Sequence, residues 1–394
     1  MGGASVKRKL IGKRCTGCRT GGTVGLFKSA LDTARCLPAC CGFGFEPRIA
    51  AGMKDKPLRI GVIGAGNNTR KRHLPGFQAI DGVAVTVVAN RSRESSEKVA
   101  AEFGIPSIAG DWREVVASPE VDAVMIGTWP YLHCEATVAA LDAGKHVLTE
   151  ARMAMNAREA ETMLAASRKH PDRVAQIVPA PMTLDVDDTV RHLVQAGELG
   201  EIREVCVTHT AGQHADAGGP LTWRQNRELS GMNMLSMGIY HEMVLRWVEG
   251  DPESILADGA VFTPRRRDPE SGLEVEVEIP ESVSVLARFP GGARLIYHFS
   301  GVESGRPRNE MRLNGSKASL RFDVAGQKLY MGRSGGVEEE EIDIPAERRR
   351  GWRVEADFVD SIREGTPVTL TDFETGLRYM TFTEAVWNAI EQGG

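Results

Sequence analysis

The fold of this chain is decided by residues 58–77, LRIGVIGAGNNTRKRHLPGF, where a short apolar run ends in Gly64-Ala65-Gly66. Gly64 permits a tight turn, and Gly66 lets the backbone approach a phosphate group. The polar segment that follows can open a helix whose first N–H groups face the negative charge. The stretch therefore predicts a strand, a turn and a helix start that hold the pyrophosphate of a dinucleotide. The expected phosphate contacts are Gly64, Gly66, Asn67, Asn68 and Thr69.

The composition limits the classes of function. With 394 residues, 42% of them hydrophobic, the chain can form two domains with large cores. A net charge of −5 does not favour nucleic acid or an anionic membrane as a partner. No apolar run reaches the length of a membrane span. Beyond residue 52 the cysteines are Cys134 and Cys206, which is typical of a reduced, cytoplasmic protein.

The first 52 residues differ from the rest of the chain. They contain five of the seven cysteines, together with many basic residues and glycines. We predict a disordered, cysteine-rich extension over residues 1–52, with the folded body beginning near Met53. One alternative is a basic organelle-targeting peptide. The other is a zinc site formed by Cys15, Cys18, Cys36 and Cys40.

Residues 53–178 alternate between apolar strand patterns and helical patterns. Runs such as 83–89 and 121–127 consist largely of small or β-branched apolar residues, as buried parallel strands require. Strands separated by helices of this length form βαβ units. We therefore predict that residues 53–178 form an α/β Rossmann dinucleotide-binding domain with a parallel sheet.

Residues 179–394 change to strand patterns that mostly follow one another without helices between them. Turns at Pro290-Gly291-Gly292 and Asn314-Gly315 predict hairpins. We expect an α+β substrate or oligomerisation domain: an open, mostly antiparallel sheet with helices on one face. The charged run 338–341 is interpreted as a solvated loop. The predicted helices span residues 186–196, 233–249, 353–364 and 372–391.

Several motifs beyond the glycine turn point to a known family. They are His73-Leu74-Pro75, Thr128 followed by His133-Cys134-Glu135, the string AGKHVLTE at 143–150, and Trp223-Arg224. With them, residues 58–394 resemble the glucose–fructose oxidoreductase, inositol dehydrogenase and rhizopine-catabolism family (Gfo/Idh/MocA). The resemblance implies a nucleotide-binding half and a sheet half. The open sheet face would line the substrate site and often an oligomer interface, so a homo-oligomer is expected.

The resemblance also implies cofactor contacts after the strands of the first half. Glu150 matches the family residue for residue and is expected near the cofactor ribose or nicotinamide. His133 opens a helix beside the cofactor, although capping or packing would equally explain it. Thr128 and Trp129 complete this set of expected cofactor-binding residues.

The chain departs from the family where catalysis is expected. Family members carry Glu-Lys-Pro, but here Glu150 is followed by Ala151 and Arg152. They also carry an Asp and a His at i and i+4 of a helix, where this chain has Ser236 and Tyr240. All three customary polar catalytic groups are therefore replaced.

Other side chains can take over the proton chemistry. Tyr240 occupies the position of the usual base, and Arg152 could lower its pKa and polarise the substrate oxygen. His241 is a second candidate, and Glu242 a weaker third. The alternative is that Tyr240 is a packed aromatic residue.

The residues after the second strand bear on the choice of cofactor. An acidic residue there would hold the ribose 2′-hydroxyl of NAD, but the position is Asn90. Arg91 can pair with a 2′-phosphate, so NADP(H) is favoured over NAD(H). The alternative is that Arg91 is only an exposed charge at a helix start.

The sequence thus favours an NADP(H)-dependent oxidoreductase that acts on a sugar, cyclitol or related polyhydroxylated carbonyl or alcohol. A nucleotide-binding sensor without redox turnover remains an alternative, because the usual catalytic groups are missing. NAD-dependent glycoside cleavage is another. No histidine has the spacing or carboxylate company of a metal ligand, so no metal site is predicted.

Overall fold

The computed structural model of the protein describes residues 56–393. Its N-terminal part is a parallel sheet in the order β3-β2-β1-β4-β5-β6. The central strands are apolar runs largely buried on both faces, which confirms the predicted Rossmann fold. The strands are β1 (Leu58–Ile63), β2 (Val83–Ala89), β3 (Ser107–Ile108), β4 (Ala123–Ile126), β5 (His146–Thr149) and β6 (Ala175–Ile177).

Helices connect these parallel strands. Three of them begin at side chains that accept a backbone N–H of the first turn: Ser92, Asp111 and Asn156. The helices are α1 (Leu74–Gln78), α2 (Arg93–Phe103), α3 (Trp112–Ala117), α4 (His133–Asp142) and α5 (Ala157–Lys169).

The C-terminal part is a mixed eight-stranded sheet in the order β16-β15-β14-β13-β7-β12-β11-β8. Its pairings are antiparallel except that of β7 with β12. The predicted hairpins are present: β11 pairs with β12, and β13 pairs with β14. The strands are β7 (Ile202–Thr210), β8 (Ser254–Ala260), β11 (Ser282–Arg288), β12 (Arg294–Ser300), β13 (Arg308–Gly315), β14 (Ala318–Asp323), β15 (Lys328–Arg333) and β16 (Glu339–Ile342). A separate two-stranded arm is formed by β9 (Arg265–Arg267) and β10 (Glu274–Glu276).

One face of this sheet packs against helices. Inward-facing Val205 and Val285 share a core with Met243 of α8 and Val386 of α10. The later helix α9 instead packs against the first domain, where Phe358 joins the core of Ile60. The helices are α6 (Asp187–Gln195), α7 (Arg227–Ser230), α8 (Met237–Trp247), α9 (Val354–Glu364) and α10 (Phe373–Glu391).

Two local predictions for this domain are wrong. The charged run 338–341 is mostly strand β16, whose glutamates lie at the sheet edge, where charge discourages pairing with another chain. The helix predicted from residue 233 begins only at Met237, because Leu235 and Ser236 have left-handed φ angles of 45° and 63°.

The predicted extension over residues 1–52, with its zinc-site and targeting-peptide alternatives, lies outside the described residues. Within residues 56–393, no helix combines the length and the apolarity needed to cross a membrane. The domain limits at 53, 178 and 394 stay predictions.

Candidate cofactor and substrate site

The glycine turn lies against the loop after β4, at the carboxyl edge of the parallel sheet. Gly64 has a φ of 80°, and a Cβ there would come within 2.5 Å of Thr128 Cγ2. A Cβ on Gly127 would come within 2.3 Å of the Gly64 carbonyl oxygen. Thr69 Oγ1 also donates to the Gly64 carbonyl, at 3.3 Å. Two backbones therefore meet at the point where the strand order reverses, which is where such sheets bind nucleotides.

A π-helical turn follows the glycines. The first backbone hydrogen bond of this helix runs from Arg70 N to Gly66 O, so the N–H groups of Asn67, Asn68 and Thr69 precede it. Residues Thr69–His73 then form the π turn. A π turn holds more residues than an α turn.

Asn90 stabilises the turn from β2. Its Oδ1 accepts the Ala65 N–H at 2.7 Å, and its Nδ2 donates to Ser95 Oγ at 3.1 Å. The neutral side chain expected near the cofactor ribose therefore also fixes the backbone of the glycine turn.

Arg91 extends across to the second domain. It pairs with Glu270 in the arm loop at 2.9 Å, and both side chains are largely exposed. Its guanidinium carbon lies 6.0 Å from the Trp129 ring centroid. An exposed pair of this kind contributes little stability, so Arg91 can exchange Glu270 for another anion.

His133 is fully buried beside the loop that follows β4. Its Nδ1 lies 3.0 Å from the Arg152 carbonyl oxygen, and its Nε2 lies 3.0 Å from the Thr128 carbonyl oxygen. Burial, only partly opposed by these carbonyls, lowers its pKa. The ring thus joins the loops after β4 and β5, and its cofactor contact stays a prediction.

Glu150 lies in a buried polar network that sequence reasoning did not foresee. Its Oε1 accepts from Asn68 Nδ2 at 2.5 Å and lies 3.0 Å from His73 Nε2. His73 Nδ1 lies 2.5 Å from Glu355 Oε1, and Trp352 Nε1 donates to the other Glu355 oxygen at 2.9 Å. The network joins the helix start, β5 and α9. In the sequence, the motif His73-Leu74-Pro75 marks one member of this network.

This network determines the charge of its members. Burial opposes protonation of His73, but its hydrogen bonds to Glu150 and Glu355 outweigh this effect and raise its pKa to about 9. Burial likewise opposes ionisation of Glu150, yet the bonds from His73 and Asn68 lower its pKa. His73 is therefore a cation at neutral pH, held between two carboxylates.

Arg152 follows β5 and points into the second domain. Its Cδ lies 3.7 Å from the Cβ position of Gly238 in α8, and its Nη2 donates to Ser230 Oγ at 3.3 Å. Its Nε is buried without a partner. Burial, with repulsion from Arg224, lowers its pKa to about 10. Among residues 56–393, no hydrogen bond joins Arg152 to Tyr240.

The Tyr240 side chain extends from α8 to the sheet. Its hydroxyl donates to Asn309 Oδ1 at 2.7 Å and lies 2.9 Å from His209 Nδ1. Burial raises its pKa, although the bond to Asn309 opposes this, so the expected lowering by a nearby cation does not occur. Asn309 was not foreseen because it lies on β13, far from Tyr240 in sequence.

His241 faces the interior of the same domain. It is stacked on Phe382, with ring centroids 3.7 Å apart, and its Nδ1 lies 3.0 Å from the Tyr297 hydroxyl. Its side chain has no exposed surface, and burial lowers its pKa to about 3. The imidazole is neutral in this core, and its catalytic role stays a prediction.

Two tryptophans meet where the domains face each other. Trp129, from the loop after β4, stacks on Trp223 with ring centroids 5.7 Å apart and planes 12° apart. The loop that carries Trp223 is held by buried Arg266, which pairs with Glu281 at 2.9 Å and donates to the His214 carbonyl at 2.8 Å. The aromatic pair is therefore held by buried contacts of the second domain.

These residues fit a nicotinamide dinucleotide. A Cβ on Gly66 would meet only the Gly127 carbonyl, at 3.5 Å, so the backbone is open to a phosphate. The buried Thr128 Oγ1 beside it lacks a partner. Within residues 56–393, no group of three or more His, Cys, Asp and Glu side chains is arranged to hold a metal ion. The fold and the glycine turn at Gly64–Gly66, packed against Gly127, define a dinucleotide-binding oxidoreductase.

Comparison with known proteins gives the family. A model described as "Oxidoreductase family, NAD-binding Rossmann fold" (GFO_IDH_MocA) matches residues 58–177. The GFO/IDH/MocA C-terminal domain model matches residues 188–321. This chain belongs to the Gfo/Idh/MocA family of NAD(P)-dependent oxidoreductases, as the motifs indicated.

Several relatives are similar along most of the chain. A dTDP-3,4-didehydro-2,6-dideoxy-alpha-D-glucose 3-reductase from Saccharopolyspora spinosa is 29% identical over 79% of this chain and 90% of its own. The enzyme of the same name from Streptomyces violaceoruber is 31% identical over 68% of this chain and 74% of its own. A structure of levoglucosan dehydrogenase with NADH and L-sorbose has the same fold. Its TM-score is 0.75, at 20% identity over 86% of this chain and 97% of its own.

Proposed function

We propose that this protein transfers a hydride between NADP(H) and a sugar or related polyol bound between its two domains. The observation that carries the proposal is the glycine cradle of Gly64, Gly66 and Gly127, which leaves backbone N–H groups at the sheet edge. The nicotinamide supplies a hydride donor or acceptor when it is bound. The chain's own residues must then hold the substrate and move one proton.

The relatives support a sugar substrate. The two matched reductases act on a deoxysugar nucleotide, and the levoglucosan dehydrogenase structure holds L-sorbose. In this chain, stacked Trp129 and Trp223 offer an aromatic surface beside the cofactor edge. An aromatic ring next to polar side chains suits a sugar, whose ring has an apolar face and polar hydroxyls.

The preference for NADP(H) rests on charge. Asn90 brings no carboxylate to the ribose, and exposed Arg91 is held only by a surface pair with Glu270. A 2′-phosphate carries more negative charge than a carboxylate, so it would displace Glu270 from Arg91.

Tyr240 is the proposed proton donor. Its raised pKa keeps the hydroxyl protonated at neutral pH, so it can give a proton to a carbonyl oxygen that is being reduced. His209 and Asn309 orient the hydroxyl, and the proton that Tyr240 gives up is replaced from solvent.

The proton role of Tyr240 is tested by removing its hydroxyl. We expect Tyr240→Phe to lower kcat about 100-fold without changing NADPH affinity, because general acid catalysis typically contributes a factor of this size. Tyr297→Phe removes a buried hydroxyl that bonds His241 and should leave kcat unchanged. Equal kcat in Tyr240→Phe and the native protein would remove this assignment.

The function itself is tested by turnover. Oxidation of NADPH should accompany reduction of members of a panel of sugar aldehydes and ketones, and NADP⁺ should be reduced with the matching polyols. Saturable NADPH binding without turnover on the panel would instead support the sensor. The replacement of the family lysine by Ala151 is the observation that favours the sensor.

A homo-oligomer through the C-terminal sheet also stays a proposal. On the face opposite the helices, Leu256 of β8 is 62% exposed beside Leu286 of β11, which is 47% exposed. Apolar side chains side by side on an open sheet favour contact with a second copy. Sedimentation of the native protein and of Leu256→Glu tests this. The cytoplasmic location is likewise proposed.

A further inference from the structure

Arg152 is a buried cation that has no counterion in the described part of the chain. The residue is 3% exposed, and its one side-chain hydrogen bond goes to the neutral Ser230 hydroxyl. In the described part of the chain, no carboxylate pairs with it. A buried charge without a counterion is unfavourable, and an anionic ligand bound next to it would offset that cost.

The buried arginine side chains Arg246 and Arg266 of the second domain are paired, in contrast to Arg152. Arg246 lies 2.7 Å from Asp187 and 2.6 Å from Glu242, and Arg266 lies 2.9 Å from Glu281. These arginines hold helices and loops together. Where the fold buries an arginine for structure, it supplies the acid as well.

A second guanidinium lies near Arg152. The carbon of the Arg224 guanidinium is 4.3 Å from the Trp223 ring centroid, and that of Arg152 is 5.9 Å from it. Arg224 is exposed, unlike Arg152, and no carboxylate pairs with it within residues 56–393. Two like charges around one indole repel each other, and a shared anion would remove that repulsion.

The position of this pair relates it to the reaction. Arg152 follows Glu150 at the carboxyl edge of the parallel sheet, and Trp223 stacks on Trp129 of the neighbouring loop. A group bound by Arg152 and Arg224 would therefore be on the substrate side of the cofactor. Arginine forks match the two oxygens of a carboxylate.

We propose that Arg152 and Arg224 bind an anionic group of the substrate, so that the protein selects sugar acids over neutral sugars. The inference rests on the proposed function and names its substrate class. A carboxylate is the planar anion whose two oxygens an arginine fork matches. A phosphate shares the chemistry and is separated from it by the test.

The test uses matched sugar pairs with the full chain saturated with NADPH. D-glucuronate is compared with D-glucose, and D-galacturonate with D-galactose, while D-glucose 6-phosphate is the phosphate arm. We expect the acids to exceed the neutral sugars in kcat/KM at least tenfold. Arg152→Gln should remove that advantage, Arg152→Lys should restore part of it, and Arg288→Gln, an exposed arginine on β11, should change nothing.

A binding measurement separates this proposal from the function. If no sugar is turned over, a thermal shift of the protein by D-glucuronate that is lost in Arg152→Gln and in Arg224→Gln still supports the anion site. Equal kcat/KM values for neutral and acidic sugars would overturn the anion site, as would an equal loss of kcat/KM for both classes in Arg152→Gln. Neither result would contradict the proposed oxidoreductase activity. No shift and no turnover would overturn both. A preference for the phosphate alone would overturn the carboxylate assignment.

Discussion

Two polar clusters flank the carboxyl edge of the parallel sheet, and they differ in one respect. The cofactor-side cluster is Asn68, His73, Glu150 and Glu355, in which the cation lies between two carboxylates of the same chain. The substrate-side cluster is Arg152 and Arg224, which meet an indole but no carboxylate of residues 56–393. The first is complete in the folded chain and therefore acts as a support. The second lacks a carboxylate in the described part of the chain, and under our proposal an anionic substrate group completes it.

The largest expected contrast is in stability. Arg266→Met removes the partner of fully buried Glu281 and should lower the free energy of unfolding by about 3–5 kcal/mol. Arg152→Met removes a charge that has no partner. The free energy of unfolding should therefore fall by less than about 1 kcal/mol, or rise. Urea denaturation measures both. Equal losses in the two variants would mean that Arg152 is a structural residue and that the clusters do not differ.

The cofactor-side cluster should also make stability depend on pH. The pKa of His73 is raised from 6.5 to about 9, so its contribution is fully present below pH 6.5 and is lost as pH rises through 9. The shift corresponds to about 3 kcal/mol. Urea denaturation at several pH values between 6 and 10 should show this loss, and His73→Gln should not. The same loss in His73→Gln would assign it to other groups.

A smaller effect is expected at the ribose. Asn90→Asp keeps an acceptor for the Ala65 N–H but places a negative charge where a 2′-phosphate would bind. We expect the ratio of the Kd values for NADP⁺ and NAD⁺ to shift about tenfold towards NAD⁺, which is about 1.4 kcal/mol. Asn388→Asp adds the same charge on an exposed position of α10 and should leave the ratio unchanged. No shift in Asn90→Asp would show that this strand end does not face the ribose.

The sequence predicts the cofactor half of the molecule better than the substrate half. The glycine turn and the valine-rich strands are local patterns, and the structure has them where they were expected. The pairing of His73 with Glu355 joins residues 282 positions apart, which no local pattern reports.

In the second domain, aligning the chain with the family motifs predicted the candidate catalytic residues less well than the glycine turn predicted the nucleotide-binding fold. Counting along the helix placed Tyr240 and His241 as candidate bases, but it could not show that both are buried. The missing carboxylate beside Arg152 is also visible only once every element that packs around it is in place. Burial and counterions are tertiary properties, so this part of the site required the structure.

The central claim is that the backbone at Gly64–Gly66 holds the pyrophosphate of a nicotinamide dinucleotide. Titration of the native protein with NADPH, followed by quenching of tryptophan fluorescence and by heat, tests it most directly, with Gly66→Val as the matched variant. The account predicts saturable binding of one NADPH per chain, with Trp129 next to the site, and at least a tenfold weaker affinity in a folded Gly66→Val protein. Absence of both heat and quenching in the native protein, or equal affinity in the variant, would contradict it.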